Sequence, residues 1–311
     1  MDRKVTAAAI SVASNATLIA AKIAAGIITG SVSIISEAAH SALDLFAATI
    51  ALFSVRVSRQ PADRGHPYGH GKAENLSGAV EAILILAAAA FIAHEAVDKL
   101  RNPKPLEAPL LGVYVMTFSV IVNTLVSRYL FLVARATDSI AIEADAEHLR
   151  TDVWTSAGVF LTLSLIQITG WHLLDPIVAL VVAVMIAKVA FSLTWKAAGP
   201  LMDARLPDAE LEELSNIIMT SPNVIGYHKL RTRKTGPGRE IDVHIILPRS
   251  MPLEEAHAIA ERVEDQMRDR FPNTHVVTHV EPDTEDTMGV PETTTKNHDE
   301  PAKESDDTQG G

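Results

Sequence analysis

"SIISEAAHSALDLFAATIAL" (residues 33–52) is long and apolar enough to cross a bilayer, yet it carries a histidine, His40, and an aspartate, Asp44. Bilayer hydrocarbon takes about 20 apolar residues per helix. An ionisable side chain at that depth costs at least about 2.5–3.5 kcal/mol, so it is expected to face a partner, a cavity or a substrate path. His40 and Asp44 are four residues apart, which sets both on one helical face. The spacing returns in "EADAEHLRTDVWTSAGV" (143–159), which holds His148 and Asp152. Two imidazoles and two carboxylates make the donor set of a tetrahedral zinc ion. Spacing alone does not select them, because roughly 0.7 His-x-x-x-Asp pairs are expected by chance. Four occur, the others being His94 with Asp98 and His279 with Asp283. What distinguishes the first two is burial in apolar segments; His94 and Asp98 fall at the outer end of a span, where water reaches them.

Working outward, six apolar runs fill the first two hundred residues, at roughly 6–29, 32–56, 78–98, 109–133, 146–168 and 173–194. The expected turns are "TGS", "RQPADRGHPYGHGK", "NPKPLEAP", "ARATDSIAIEAD" and "TGWHLLDP". Arg3, Lys4, Arg56, Arg59, Arg64, Lys72, Arg128, Arg135 and Arg150 fall on one side, against Lys99, Arg101 and Lys104 on the other. That bias predicts a multi-pass protein with both termini cytoplasmic. Counting inward from Gly30 and Gly170 at about 1.5 Å per residue places the first His-Asp pair roughly 15–21 Å deep and the second roughly 27–33 Å. Straight helices would miss each other, so tilt of about 20° is expected to bring the pairs level. The basic start of the chain precedes a run too long for a signal segment, which reads as a retained first span.

Beyond about residue 204 the periods change. "PDAELEELSNIIMTS" and "PLEEAHAIAERVEDQMRDRF" have helical spacing, while "GYHKLRTRK", "REIDVHIIL" and "THVVTHVEP" alternate like strands. The order αββαβ predicts a small two-layer α+β domain over 205–284, after a helical membrane domain over 1–204. Residues 285–311 are polar and lack aromatics, which predicts a disordered acidic tail.

Composition narrows the chemistry. The 311 residues have a formal net charge of −11, which argues against nucleic acid as a partner and suits metal cations. With no cysteine, any transition metal must be held by His, Asp or Glu. In "PADRGHPYGHGKAE" (61–74), Asp63, His66 and His70 can converge because Pro67 and the glycines let a loop fold round an ion. In the soluble domain His228, His244, His257 and His279 stand on or near strands and a helix. The period of two sets His279 and Glu281 on one face of the last strand.

These stretches together resemble the cation diffusion facilitator family, of the ferrous-iron and zinc efflux type. The carriers are "TGSVSIISEAAHSALD" (29–44), "PADRGHPYGHGKAE" (61–74), "EADAEHLRTD" (143–152), "GYHKLRTRKTGPGREIDVHIIL" (226–247) and "HVEP" (279–282). The resemblance covers the chain from about Val5 to Pro282. It implies a homodimer in the bacterial cytoplasmic membrane, with a metallochaperone-like soluble domain, exchanging zinc or a similar divalent cation for protons by alternating access. It assigns the membrane site to His40, Asp44, His148 and Asp152, a loop site to Asp63, His66 and His70, and a dimer-interface site to His228, His244, His257, His279 and Glu281. A charge interlock at the membrane surface would map onto Lys72 and Asp203. Many bacterial members have Asp where His40 stands; a second imidazole is similar to members with a stricter zinc preference. Glu281 stands where those members have Asp. Zinc is then both cargo and regulatory ligand, and the chain is no enzyme. Two other readings are a membrane-anchored metal sensor and an intramembrane zinc hydrolase. The hydrolase needs an open coordination position, which four protein ligands do not leave.

Overall fold

A computed structural model describes residues 2–29, 32–101, 110–169, 171 and 173–284. For some residues inside helices, His40 among them, only the backbone is described. The expected turns at 29–31 and 102–109 and the acidic tail lie wholly or largely outside the described residues. Six long helices come first: α1 (Arg3–Thr29), α2 (Val32–Ser58), α3 (Lys72–Arg101), α4 (Leu110–Thr137), α5 (Ile140–Thr169) and α6 (Leu174–Leu201). All but α5 are long and apolar enough to cross a membrane. The N-terminal half of α5 carries Glu143, Asp145, Glu147, Arg150 and Asp152, but α5 packs against α2, α3, α4 and α6. Phe53, Ile83, Leu132, Val184 and Phe191 are exposed, an apolar surface suited to lipid rather than water.

Small residues set the helix spacing. Ala7 and Ala8 of α1 pack with Val55, Leu130 and Leu149 in one cluster, and Ala82, Ile85 and Ala89 of α3 with Ala144, Ile186 and Ala190 in another.

The helices overrun the apolar spans at the end that holds Lys4. α3 begins at Lys72 instead of 78, α5 at Ile140 instead of 146, and α6 runs on to Leu201. The expected turn "ARATDSIAIEAD" is therefore mostly helix, and only Asp138 and Ser139 interrupt it. Asp138 takes a positive φ of 51°, which Asp tolerates better than most residues. The helix starts early because Ala141, Ile142, Ala144 and Ala146 are buried. Polar groups at this end find partners inside the bundle. Glu74, fully buried, accepts from Lys4 Nζ at 2.6 Å, from Ser58 Oγ at 2.8 Å and from Ser139 Oγ. One carboxylate thus ties α1, α2 and the start of α5 to α3.

The remaining elements are α7 (Asp208–Thr220), β1 (Gly226–Thr235), β2 (Gly238–Leu247), α8 (Leu253–Arg270) and β3 (Thr274–Pro282), with sheet order β1-β2-β3. This is the expected αββαβ order. Its core comes from Leu214 and Ile218 of α7, Ile259, Val263 and Met267 of α8, and Ile241, Val243 and Ile245 on one face of β2. His244 therefore points to the opposite face.

The chain packs as two compact units. Among the described residues, one comprises those up to Leu206, with Thr232–Glu240 and Pro272–His275, and the other Pro207–Arg231, Ile241–Phe271 and those from Val276 on. The β1–β2 hairpin tip thus belongs with the helices. Gly236, at a φ of +60°, lies so close to Gly71 that a Cβ on either would collide with the other strand of backbone. The Gly236 amide donates to Asn75 Oδ1 at 3.1 Å, and Lys234 pairs with Asp138 at 2.5 Å.

Candidate metal centres

Inside the helical unit α2 and α5 meet at Asp44 and His148. His148 Nε2 and Asp44 Oδ1 are hydrogen-bonded at 3.0 Å, with both side chains buried. Asp152, one turn along α5, completes a group of three whose ligand atoms lie within 4.8 Å of one another. The difference in depth counted from the sequence does not keep the helices apart. Asp44 is twelve residues from the start of α2 and His148 twenty-one from the end of α5, so contact implies that α5 overhangs α2 there by about 13 Å, less any tilt. His40 falls in α2 one turn before Asp44; its side chain is outside the described residues.

A cavity of about 810 Å³ reaches Asp152, lined also by Leu43, Phe91, Met116, Lys99 and Asp175. Lys99 and Asp175 pair at 3.4 Å at the ends of α3 and α6 remote from Lys4. Asp152 is therefore approached from that end, while His148 is 8% exposed. The arrangement offers a cation two carboxylates and an imidazole, with a route open on one side.

In the 61–74 loop, Asp63, His66 and His70 also converge within 4.8 Å. The amides of His66 and Gly65 donate to Asp63 Oδ1 at 2.7 and 2.8 Å and, the His66 amide foremost, hold its carboxyl below the usual carboxylate range. His66 Nδ1 lies 3.4 Å from one Asp63 oxygen and His70 Nε2 lies 3.5 Å from the other.

In the second unit His228, His244 and Glu281 form a third group within 4.8 Å. His244 Nδ1 is 2.7 Å and His228 Nε2 is 2.9 Å from the two Glu281 oxygens. The hydrogen bond to His244 keeps the Glu281 carboxyl below its ordinary range. The rings of His279 and His244 meet at a tilt of 58°, with centroids 4.6 Å apart, but His279 is 62% exposed. His257 is 71% exposed and faces Glu261 on its own helix, so within one chain it does not join the group.

Lys72 and Asp203 pair at 2.7 Å in a single chain, with Arg233 3.4 Å from the second Asp203 oxygen. Hydrogen bonding to Lys72 lowers the Asp203 carboxyl. This pair's stabilisation is present above the ordinary carboxylate range and fades as pH falls through the lowered value.

The sequence reading passes over Glu74, Glu81 and Asp145. Glu81 lies within the third apolar run, so a carboxylate at bilayer depth was the available signal.

Comparison with known proteins identifies the family. The family described as "Cation efflux transmembrane domain" matches residues 8–202, and "Cation efflux protein, cytoplasmic domain" matches residues 206–283. The chain is 36% identical over 281 residues to the cation-efflux pump FieF of Salmonella schwarzengrund, covering 90% of this chain and 93% of that protein. FieF of Escherichia fergusonii matches at the same identity and coverage. A transporter of Synechocystis, sll1263, is 35% identical over 84% of both chains.

Proposed function

Since the chain belongs to the cation diffusion facilitator family of cation efflux transporters, we propose that it exchanges cytoplasmic zinc for protons by alternating access. The ligands are His40, Asp44, His148 and Asp152. The observation that carries this reading is the convergence of Asp44, His148 and Asp152 from two helices at the end of a cavity. Imidazole nitrogen beside carboxylate suits zinc above magnesium or manganese. Zinc takes carboxylate and neutral imidazole, so its binding displaces protons and its release invites them back. Histidine ordinarily titrates near pH 6.5, between a near-neutral cytoplasm and a more acidic exterior. The functional unit is a homodimer in the bacterial cytoplasmic membrane, with both termini cytoplasmic.

Full-length protein in vesicles containing a trapped zinc indicator tests the coupling. Zinc entry is expected to speed up when the receiving compartment is made more acidic and to collapse when an ionophore dissipates the gradient. Flux indifferent to the gradient would exclude proton exchange.

His228, His244 and Glu281 supply donors that fit a regulatory zinc, with His279 alongside. Ion binding there biases the transport equilibrium. His244→Ala is expected to weaken activation by zinc while leaving basal flux measurable in the same vesicles. Complete loss of flux would make His244 part of the transport path.

A further inference from the structure

Towards the Lys4 end, one turn from His148 on α5, stands Asp145, and across from it on α3 stands Glu81. They are 1% and 0% exposed. Neither Glu81 oxygen has a hydrogen-bond partner, nor does Asp145 Oδ2. The two carboxylates lie near enough to interact electrostatically with each other and with His148. The Ser11 hydroxyl of α1 faces Asp145 and is otherwise unpartnered. The Asn15 amide nitrogen one turn further along α1 is unpartnered too. Both side chains are at most 3% exposed. The two buried lysines of α1 are engaged elsewhere, Lys4 with Glu74 and Lys22 with Ser41. Two buried carboxylates with three of their four oxygens unpartnered are costly, and a cation offsets that cost.

We propose that Glu81 and Asp145, with Ser11, form a second divalent-cation site, a way-station that receives the ion before the His148 centre. This rests on the transport reading above. Two observations give it direction. Glu74 meets Ser139 and Gly78 packs against Ile140, so Glu81, three residues beyond Gly78, and Asp145, five beyond Ile140, both lie nearer the Lys4 end than His148, eight beyond Ile140. The open cavity reaches Asp152 from the other end, so the buried pair belongs to the closed side. An ion entering when that side opens meets Glu81 and Asp145 first. The chemistry gives the order of affinity: an all-oxygen site holds zinc less firmly than one containing imidazole, so the ion passes on to His148.

The test compares full-length wild type with Glu81→Gln, Asp145→Asn and the double variant, each near-isosteric. Zinc per chain is counted after dialysis at fixed free zinc, and flux is measured in vesicles. The double variant is expected to lose one zinc per chain. Its KM for zinc should rise about tenfold or more, with the maximal rate within about threefold of wild type. The carboxylate-retaining Glu81→Asp should keep the zinc, which separates ligand loss from a packing fault. Unchanged zinc count and KM in monodisperse variants overturn the way-station. A fall in maximal rate at an unchanged zinc count does so too. Wild-type protein that moves no zinc would instead defeat the transport reading.

Discussion

Asp152→Asn is expected to abolish zinc flux in vesicles, lowering it by more than about 100-fold, because disturbing outer-shell partners of a metal site alone costs about 10–100-fold. Asp152 supplies charge as well as an oxygen, and the cavity from the far end reaches it. The substitution keeps the shape of the side chain at a half-buried position, so thermal stability in detergent should change little. Flux loss with an unaltered melting temperature therefore locates the defect in ion binding. Flux equal to wild type would place the ion path elsewhere and make the Asp44–His148 contact structural. The variant also separates a transporter from a metal sensor, since a sensor needs only its soluble domain and would continue to respond.

The largest stability effect is expected at Glu74. Glu74→Ala leaves the Lys4 ammonium buried without its counter-charge and deprives the hydroxyls of Ser58 and Ser139 of an acceptor. Breaking a buried ion pair from one side costs about 3–5 kcal/mol. That is a large share of the stability of an ordinary domain. The checks are recovery of monodisperse protein and its melting temperature. A companion variant, Lys4→Met with Glu74→Leu, removes both charges and should recover much of the loss, because an apolar pair of similar volume is often neutral or better. If Glu74→Ala melts like wild type, the carboxylate is not the tie between α1, α2, α3 and α5 that its contacts describe.

Several expectations survive because they depend on order along the chain. Apolar runs of bilayer length give the helices, and the switch from a period near 3.6 to a period of two gives the αββαβ order. The four-residue spacing puts Asp152 beside His148 because both belong to one helix. Local turn chemistry brings Asp63, His66 and His70 together, as Pro67 and the glycines suggest. The helices α3, α5 and α6 extend beyond their apolar runs because hydropathy finds the part of a helix that suits lipid. It cannot see a polar stretch sheltered by its neighbours, as Glu74 and Asp145 are.

By itself, the sequence determined the succession of elements, the helical faces carrying His40 with Asp44 and His148 with Asp152, and the exclusion of thiolate chemistry. Only the tertiary structure decided that Asp44 and His148 stand at the same height, that His257 lies apart from His228, His244 and Glu281, and that Glu81 and Asp145 are buried within electrostatic reach of each other. The reason is that periodicity fixes direction around one element, whereas the axial offset between two elements is set by how their side chains interlock.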